Sequence, residues 1–126
     1  MSVRVVDASA LGALVFGEPE AEKIASLLSD GPLAAPALLA FELASICLKK
    51  IKAHPAKRSL IMEAFGSAEQ LQIEYVDIDH ISVIALAKET GLTTYDASYL
   101  WLAGELGGRL VTLDRRLQRA TADQKD

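Results

Sequence analysis

Short β-branched runs alternate along this chain with longer stretches whose apolar positions recur every three or four residues. The first spacing belongs to strands and the second to helices, and their alternation marks an α/β domain on a parallel sheet. Val3-Arg4-Val5-Val6 predicts a first strand ending at Asp7. A helix over Ala8 to Phe16 follows and is interrupted by Gly17-Glu18-Pro19. Glu20 to Ser29 places Ile24, Leu27 and Leu28 on one side of a second helix, which Asp30-Gly31-Pro32 stops. Leu33 to Ala35 predicts a short second strand. Pro36 suits the first turn of a long helix reaching about Lys52 and closed by His54-Pro55.

Further along, Ala56 to Gln70 predicts another helix, with Gly66 near its end. Ile73 to Ile78 alternates and predicts the third strand. Asp79 caps a helix through Thr90 with Gly91 past its end, and Thr93 or Thr94 caps one through Leu106, stopped by Gly107-Gly108. Arg109 to Leu113 predicts the fourth strand, ending at Asp114, and Arg115 to Ala120 a last short helix. Residues 1–126 read as one domain, with 121–126 a polar tail.

Hydrophobic residues make up 51% of the chain, enough for a real core, and charged residues 24%. One cysteine forms no internal disulfide and fits no multi-cysteine metal motif. The first residues lack the apolar run of a secretory signal, and the apolar stretch Leu33 to Leu48 contains Glu42 and is too short for a membrane span. A cytoplasmic protein that does not enter membranes is expected. The net charge of −4 argues against nucleic-acid binding by phosphate contacts alone. Any such role requires a local basic surface and a purpose for the acids.

That purpose is suggested by where the acids fall. Asp7 and Asp114 each follow an apolar strand, where open parallel sheets bind ligands. Asp96 lies in the first turn of its helix, and Glu42 about two turns into the helix begun by Pro36. A carboxylate group of this kind repels itself unless a cation is present. Oxygen ligands without imidazole or thiolate suit Mg²⁺, with Mn²⁺ a substitute, and the natural chemistry is hydrolysis at phosphorus by a metal-activated water. Such a step leaves a 5′-phosphate and a 3′-hydroxyl. The plainer alternative is that these are helix caps and surface acids.

Val5-Val6-Asp7-Ala8-Ser9-Ala10-Leu11, Phe41-Glu42-Leu43-Ala44, Tyr95-Asp96-Ala97-Ser98-Tyr99 and Leu110-Val111-Thr112-Leu113-Asp114-Arg115-Arg116-Leu117 together resemble the four acidic motifs of PIN domains. The resemblance is strongest to VapC toxins of toxin–antitoxin pairs and spans nearly the whole chain. It implies a three-layer α/β/α sandwich, Mg²⁺-dependent endoribonuclease activity, homodimerisation and inhibition by a small antitoxin. It makes Asp7, Glu42, Asp96 and Asp114 the metal-site acids, with Ser9 and Thr112 in support. Thr112 is two residues before Asp114, so strand alternation puts both on one face. Many relatives of this type continue into a fifth apolar strand, whereas Gln118 to Asp126 is polar, so about four strands are expected.

Lys49, seven residues beyond Glu42 and about 10 Å along the helix axis, is a candidate for holding RNA phosphates, with Arg115 and Arg116. The alternative is a solvated, dipole-favoured helix end. Cys47 reads as a core residue, and His54 and His80 as surface groups at helix edges. Tyr95, Tyr99 and Trp101 could stack on bases, although Trp101 suits a core better. Rival functions fit less well. A phosphoacceptor domain requires neighbouring acids after the first strand and a late lysine, and a dehalogenase-like phosphatase a second aspartate near Asp7. A non-catalytic RNA- or protein-binding module would be favoured by loss of one acid, and all four are present.

Overall fold

The computed structural model describes residues 2–124. Its centre is a parallel sheet in the order β3-β2-β1-β4, formed by β1 (Arg4–Val6), β2 (Leu33–Ala35), β3 (Glu74–Tyr75) and β4 (Arg109–Val111). Val5 and Val6 of β1 are fully buried, one against each face, as expected of the central strand of a covered parallel sheet. Register pairs Val5 with Ala34 on one side and with Leu110 on the other. The chain runs outward from β1 to β2 and β3, then returns to β4 on the far side of β1. The reversal puts a topological switch point between β1 and β4.

Among the described residues seven α-helices flank the sheet: α1 (Ala8–Val15), α2 (Ala21–Leu28), α3 (Leu38–Ala53), α4 (Arg58–Ser67), α5 (His80–Thr90), α6 (Thr94–Glu105) and α7 (Arg115–Gln124). α1 packs on α2 and α3, and α3 on α4, while α6 packs on α5, α7, β1 and β4. The expected α/β/α sandwich with a four-stranded parallel sheet is the fold found. The core joins β1 with Leu11, Ile24, Leu39, Tyr99, Leu102 and Leu117, each at most 1% exposed. Cys47 is buried, and His54 and His80 are exposed.

The departures from the sequence reading have local causes. The third strand contracts from residues 73–78 to two exposed residues, because β3 is an edge strand with β2 its sole partner. The predicted 56–70 helix becomes a 3₁₀ turn at Pro55–Lys57, the helix α4, and a second 3₁₀ turn at Ala68–Leu71. Pro55 lacks a backbone donor and opens the first of these turns. The fourth strand ends at Val111 rather than Leu113. Helix α7 continues four residues beyond Ala120, through the first part of the supposed polar tail. Leu117 and Ala120 bury one side, and the Thr121 hydroxyl donates back to the Leu117 carbonyl. Residues 125–126 of that tail lie outside the described residues.

Candidate metal centre

Asp7 emerges from β1 directly into α1, where its extended backbone makes it the N-cap. Its Oδ1 accepts from the Ala10 amide at 3.0 Å and from the Ser9 hydroxyl at 2.7 Å. Its Oδ2 accepts from the Thr112 hydroxyl at 2.5 Å, in the range of charge-assisted O–H···O⁻ bonds. The same hydroxyls accept from the chain leaving β4: Leu113 N donates to Ser9 Oγ and Asp114 N to Thr112 Oγ1. Ser9 and Thr112 thereby lace the ends of β1 and β4 together across the switch point, and Asp7, 5% exposed, is the anion they enclose. Strand alternation does not orient Thr112, which lies just past β4. Its hydroxyl goes to Asp7 and not to the carboxylate of Asp114.

Asp114 is also a cap, accepting from Leu117 N with Oδ1 at the start of α7. Asp96 is not. Thr93 caps α6 by accepting the Asp96 amide, which leaves the Asp96 carboxylate out of the cap. Glu42 is the fifth residue of α3, because that helix begins at Leu38 and not at Pro36. Its Oε1 accepts from the phenol of Tyr99 at 2.5 Å.

Electrostatically the four acids form a closed ring. Burial raises the Asp7 carboxyl above the ordinary carboxylate range, against the lowering effect of Thr112, Ala10 and Ser9, and the Asp114 charge raises it further. Burial also raises Glu42, with Tyr99 opposing and the charges of Asp96 and Asp7 adding. Asp96 is raised by burial and by Asp114, with Arg116 and Thr93 opposing. Each acid is thus close enough to two others to disfavour ionisation or be disfavoured in turn. Burial, followed by hydrogen bonding to Glu42, drives the Tyr99 phenol far upward, so it remains a donor.

In donor type and charge this ring fits a hard divalent cation: four carboxylates, with no histidine among the groups acting on them. As the side chains stand, no three His, Cys, Asp or Glu among the described residues lie close enough together to hold a metal ion. A cleft of 930 Å³ between α5, α6, β4 and α7 is lined by none of the four acids. Asp7 is buried, and Glu42, Asp96 and Asp114 are part-exposed.

The basic candidates divide. Arg116 donates to the Gly91 carbonyl at 3.0 Å, and its charge favours the ionised form of Asp96, so it stands beside the ring. Arg115, the first residue of α7, is exposed. Lys49 is exposed on α3 and takes part in none of the described contacts of the acids. Its neighbour Lys50 pairs with Glu18 and lies over the Phe16 ring. Among the aromatic candidates, Tyr99 is 1% exposed, which removes it from base stacking, while Tyr95 is exposed. The tie from Tyr99 to Glu42 was not anticipated. Its one trace in the sequence is the spacing from Asp96, three residues, which puts both on neighbouring positions of one helix.

Comparison with known proteins gives the family and the fold. The PIN domain family model matches residues 4–123. Ribonuclease VapC3 of Pyrobaculum aerophilum is 36% identical over 123 residues, covering 90% of each chain. The crystal structure of PAE2754 from Pyrobaculum aerophilum superposes with a TM-score of 0.77 at 29% identity, covering 95% of this chain and 85% of that one. In sequence across nearly its whole length, and in the sheet order that brings Asp7 beside Asp114, this chain belongs to the PIN domain family.

Proposed function

We propose that this chain is a Mg²⁺-dependent endoribonuclease, with Asp7, Glu42, Asp96 and Asp114 as the metal-site acids, and that it is the toxin of a toxin–antitoxin pair acting on cytoplasmic RNA. The observation that carries the reading is the gathering of four carboxylates at the sheet's switch point, with Asp7, Glu42 and Asp96 raised by burial and further by neighbouring acidic charge. Similarity to a ribonuclease VapC supports the substrate class, and the resemblance to toxins of toxin–antitoxin pairs is the ground for an inhibitory partner protein. When bound, Mg²⁺ or Mn²⁺ supplies positive charge that offsets the ring's repulsion, acidifies water and stabilises charge on the attacked phosphodiester.

The chain's own groups share the remaining work. Asp7 is fixed by three donors and makes the rigid corner of the site. Asp114 commits Oδ1 to the α7 cap, and Asp96 is released for the site by Thr93. Ser9 and Thr112 orient Asp7. Arg116, with Arg115 and Lys49 further out, supplies positive charge for flanking phosphates, which an acidic protein otherwise lacks. Histidine general acid–base groups are absent from the ring's neighbours, so direct hydrolysis to 5′-phosphate and 3′-hydroxyl ends is expected.

The test is cleavage of an end-labelled RNA by the wild type in Mg²⁺, in EDTA, and by Asp7→Asn in Mg²⁺, with the ends analysed. Cleavage is expected in the first condition alone. Activity that persists in EDTA, or 2′,3′-cyclic phosphate ends, would overturn the metal-hydrolysis reading.

A further inference from the structure

Tyr99 is buried on α6 three residues after Asp96, and its hydroxyl reaches across to Glu42 on α3, a separation of 57 residues in sequence. A buried phenol needs one acceptor, and a backbone carbonyl would have served. Here the acceptor is one oxygen of a ring carboxylate. We infer that Tyr99 is a positioning residue: by holding Oε1 it fixes the Glu42 side chain, so that the other carboxylate oxygen, Oε2, is the one offered to a divalent ion.

The physical case rests on the neighbours of Glu42. It has a long side chain on a helix whose preceding residue, Phe41, is 77% exposed, so the outer side of α3 does little to confine it. The charges of Asp96 and Asp7 disfavour its ionised form and give it no attractive hold within the ring. Among the described hydrogen bonds, the one from Tyr99 is the single bond to its carboxylate. Asp7, by contrast, has three such bonds. A ligand oriented by one outer hydrogen bond depends on it, and loss of an outer-shell partner weakens metal affinity about 10–100-fold in comparable sites. Tyr99 also stands on the helix that carries Asp96, so a single element sets the positions of two of the four acids.

This inference rests on the metal-site reading above. Its test is Mn²⁺ binding to the full chain, measured by calorimetry and by the Mn²⁺ spin-resonance signal, for wild type, Tyr99→Phe, Glu42→Ala and the double variant. Tyr99→Phe is expected to bind Mn²⁺ about tenfold more weakly, and the double variant no more weakly than Glu42→Ala. Affinity of Tyr99→Phe within about twofold of wild type, or additive losses in the double variant, would overturn the inference while wild-type binding leaves the metal site standing. Absence of Mn²⁺ binding by the wild type itself would overturn both. Thermal unfolding in EDTA accompanies each variant. If Tyr99→Phe does not fold, Tyr99→His, which retains a ring donor, is read in its place, and affinity as low as that of Glu42→Ala would count against the inference.

Discussion

At Asp7 the carboxylate is both structural and chemical. It caps α1, binds the β4 connection through two hydroxyls, and carries a charge that burial disfavours. Asparagine retains an acceptor for Ala10 and Ser9 and removes that charge. Asp7→Asn is expected to abolish Mg²⁺-dependent cleavage while raising the melting temperature in EDTA by a few degrees, about 1 kcal/mol. Differential scanning calorimetry checks the second part. Thr112→Val keeps the shape and removes the donor to Oδ2, so a loss of about 10–100-fold in Mn²⁺ affinity is expected. The pH dependence follows from the same groups. Asp7, Glu42 and Asp96 are all raised, so they take up protons above the ordinary carboxylate range, and metal affinity should begin to fall there as pH is lowered. Stability without metal goes the other way. Folded-state values above the unfolded ones mean that the folded state binds more protons in that window, so the metal-free protein gains stability as pH falls through it. Titration of the EDTA-treated protein by calorimetry from neutral pH into the carboxylate range measures this sign.

Among the elements, α6 carries the most. Its cap Thr93, its site residue Asp96 and its buried Tyr99 follow one another at three-residue steps. Thr93→Ala removes the cap and should cost about 1 kcal/mol of stability; a denaturant melt with unchanged slope is the check. The turn from α6 into β4 is tight: a Cβ on Gly108 would stand 2.6 Å from the Val3 carbonyl oxygen, the acceptor for the Arg109 amide that starts the β1–β4 pairing. Gly108→Ala should therefore destabilise by about 1–3 kcal/mol, because backbone and not a flexible side chain must give way. Most element types were legible in the sequence, since periodicity and capping residues act within one or two turns. Asp79 and Gly91 bound α5, with Gly91 at φ 78°. The boundaries that shifted include β3, which shortened because it has one partner, and α7, which runs on past the buried Ala120 with the Thr121 hydroxyl bonded back to the Leu117 carbonyl.

Across the whole molecule, the sheet order β3-β2-β1-β4 puts two strand ends bearing acids side by side, and α3 and α6 supply the others. Phe41, Ile81, Ile84 and Tyr95 are large apolar or aromatic side chains left exposed, and Ile84 and Tyr95 share an apolar groove with Val76 and Ile78. Exposed apolar surface of this kind supports the expectation of a homodimer. Sedimentation should give twice the monomer mass, and Ile84→Glu should shift it toward the monomer. No helix among the described residues is long and apolar enough to cross a membrane. By itself the sequence determined the α/β alternation, the acids after β1 and β4, and the caps, because each depends on residues a few positions apart. Only the tertiary structure decided that Ser9 and Thr112 share Asp7, and that the Tyr99 phenol meets Glu42. Thr112 is 105 residues from Asp7 and Tyr99 is 57 from Glu42, and their meeting depends on strand order and helix rotation that no local pattern encodes.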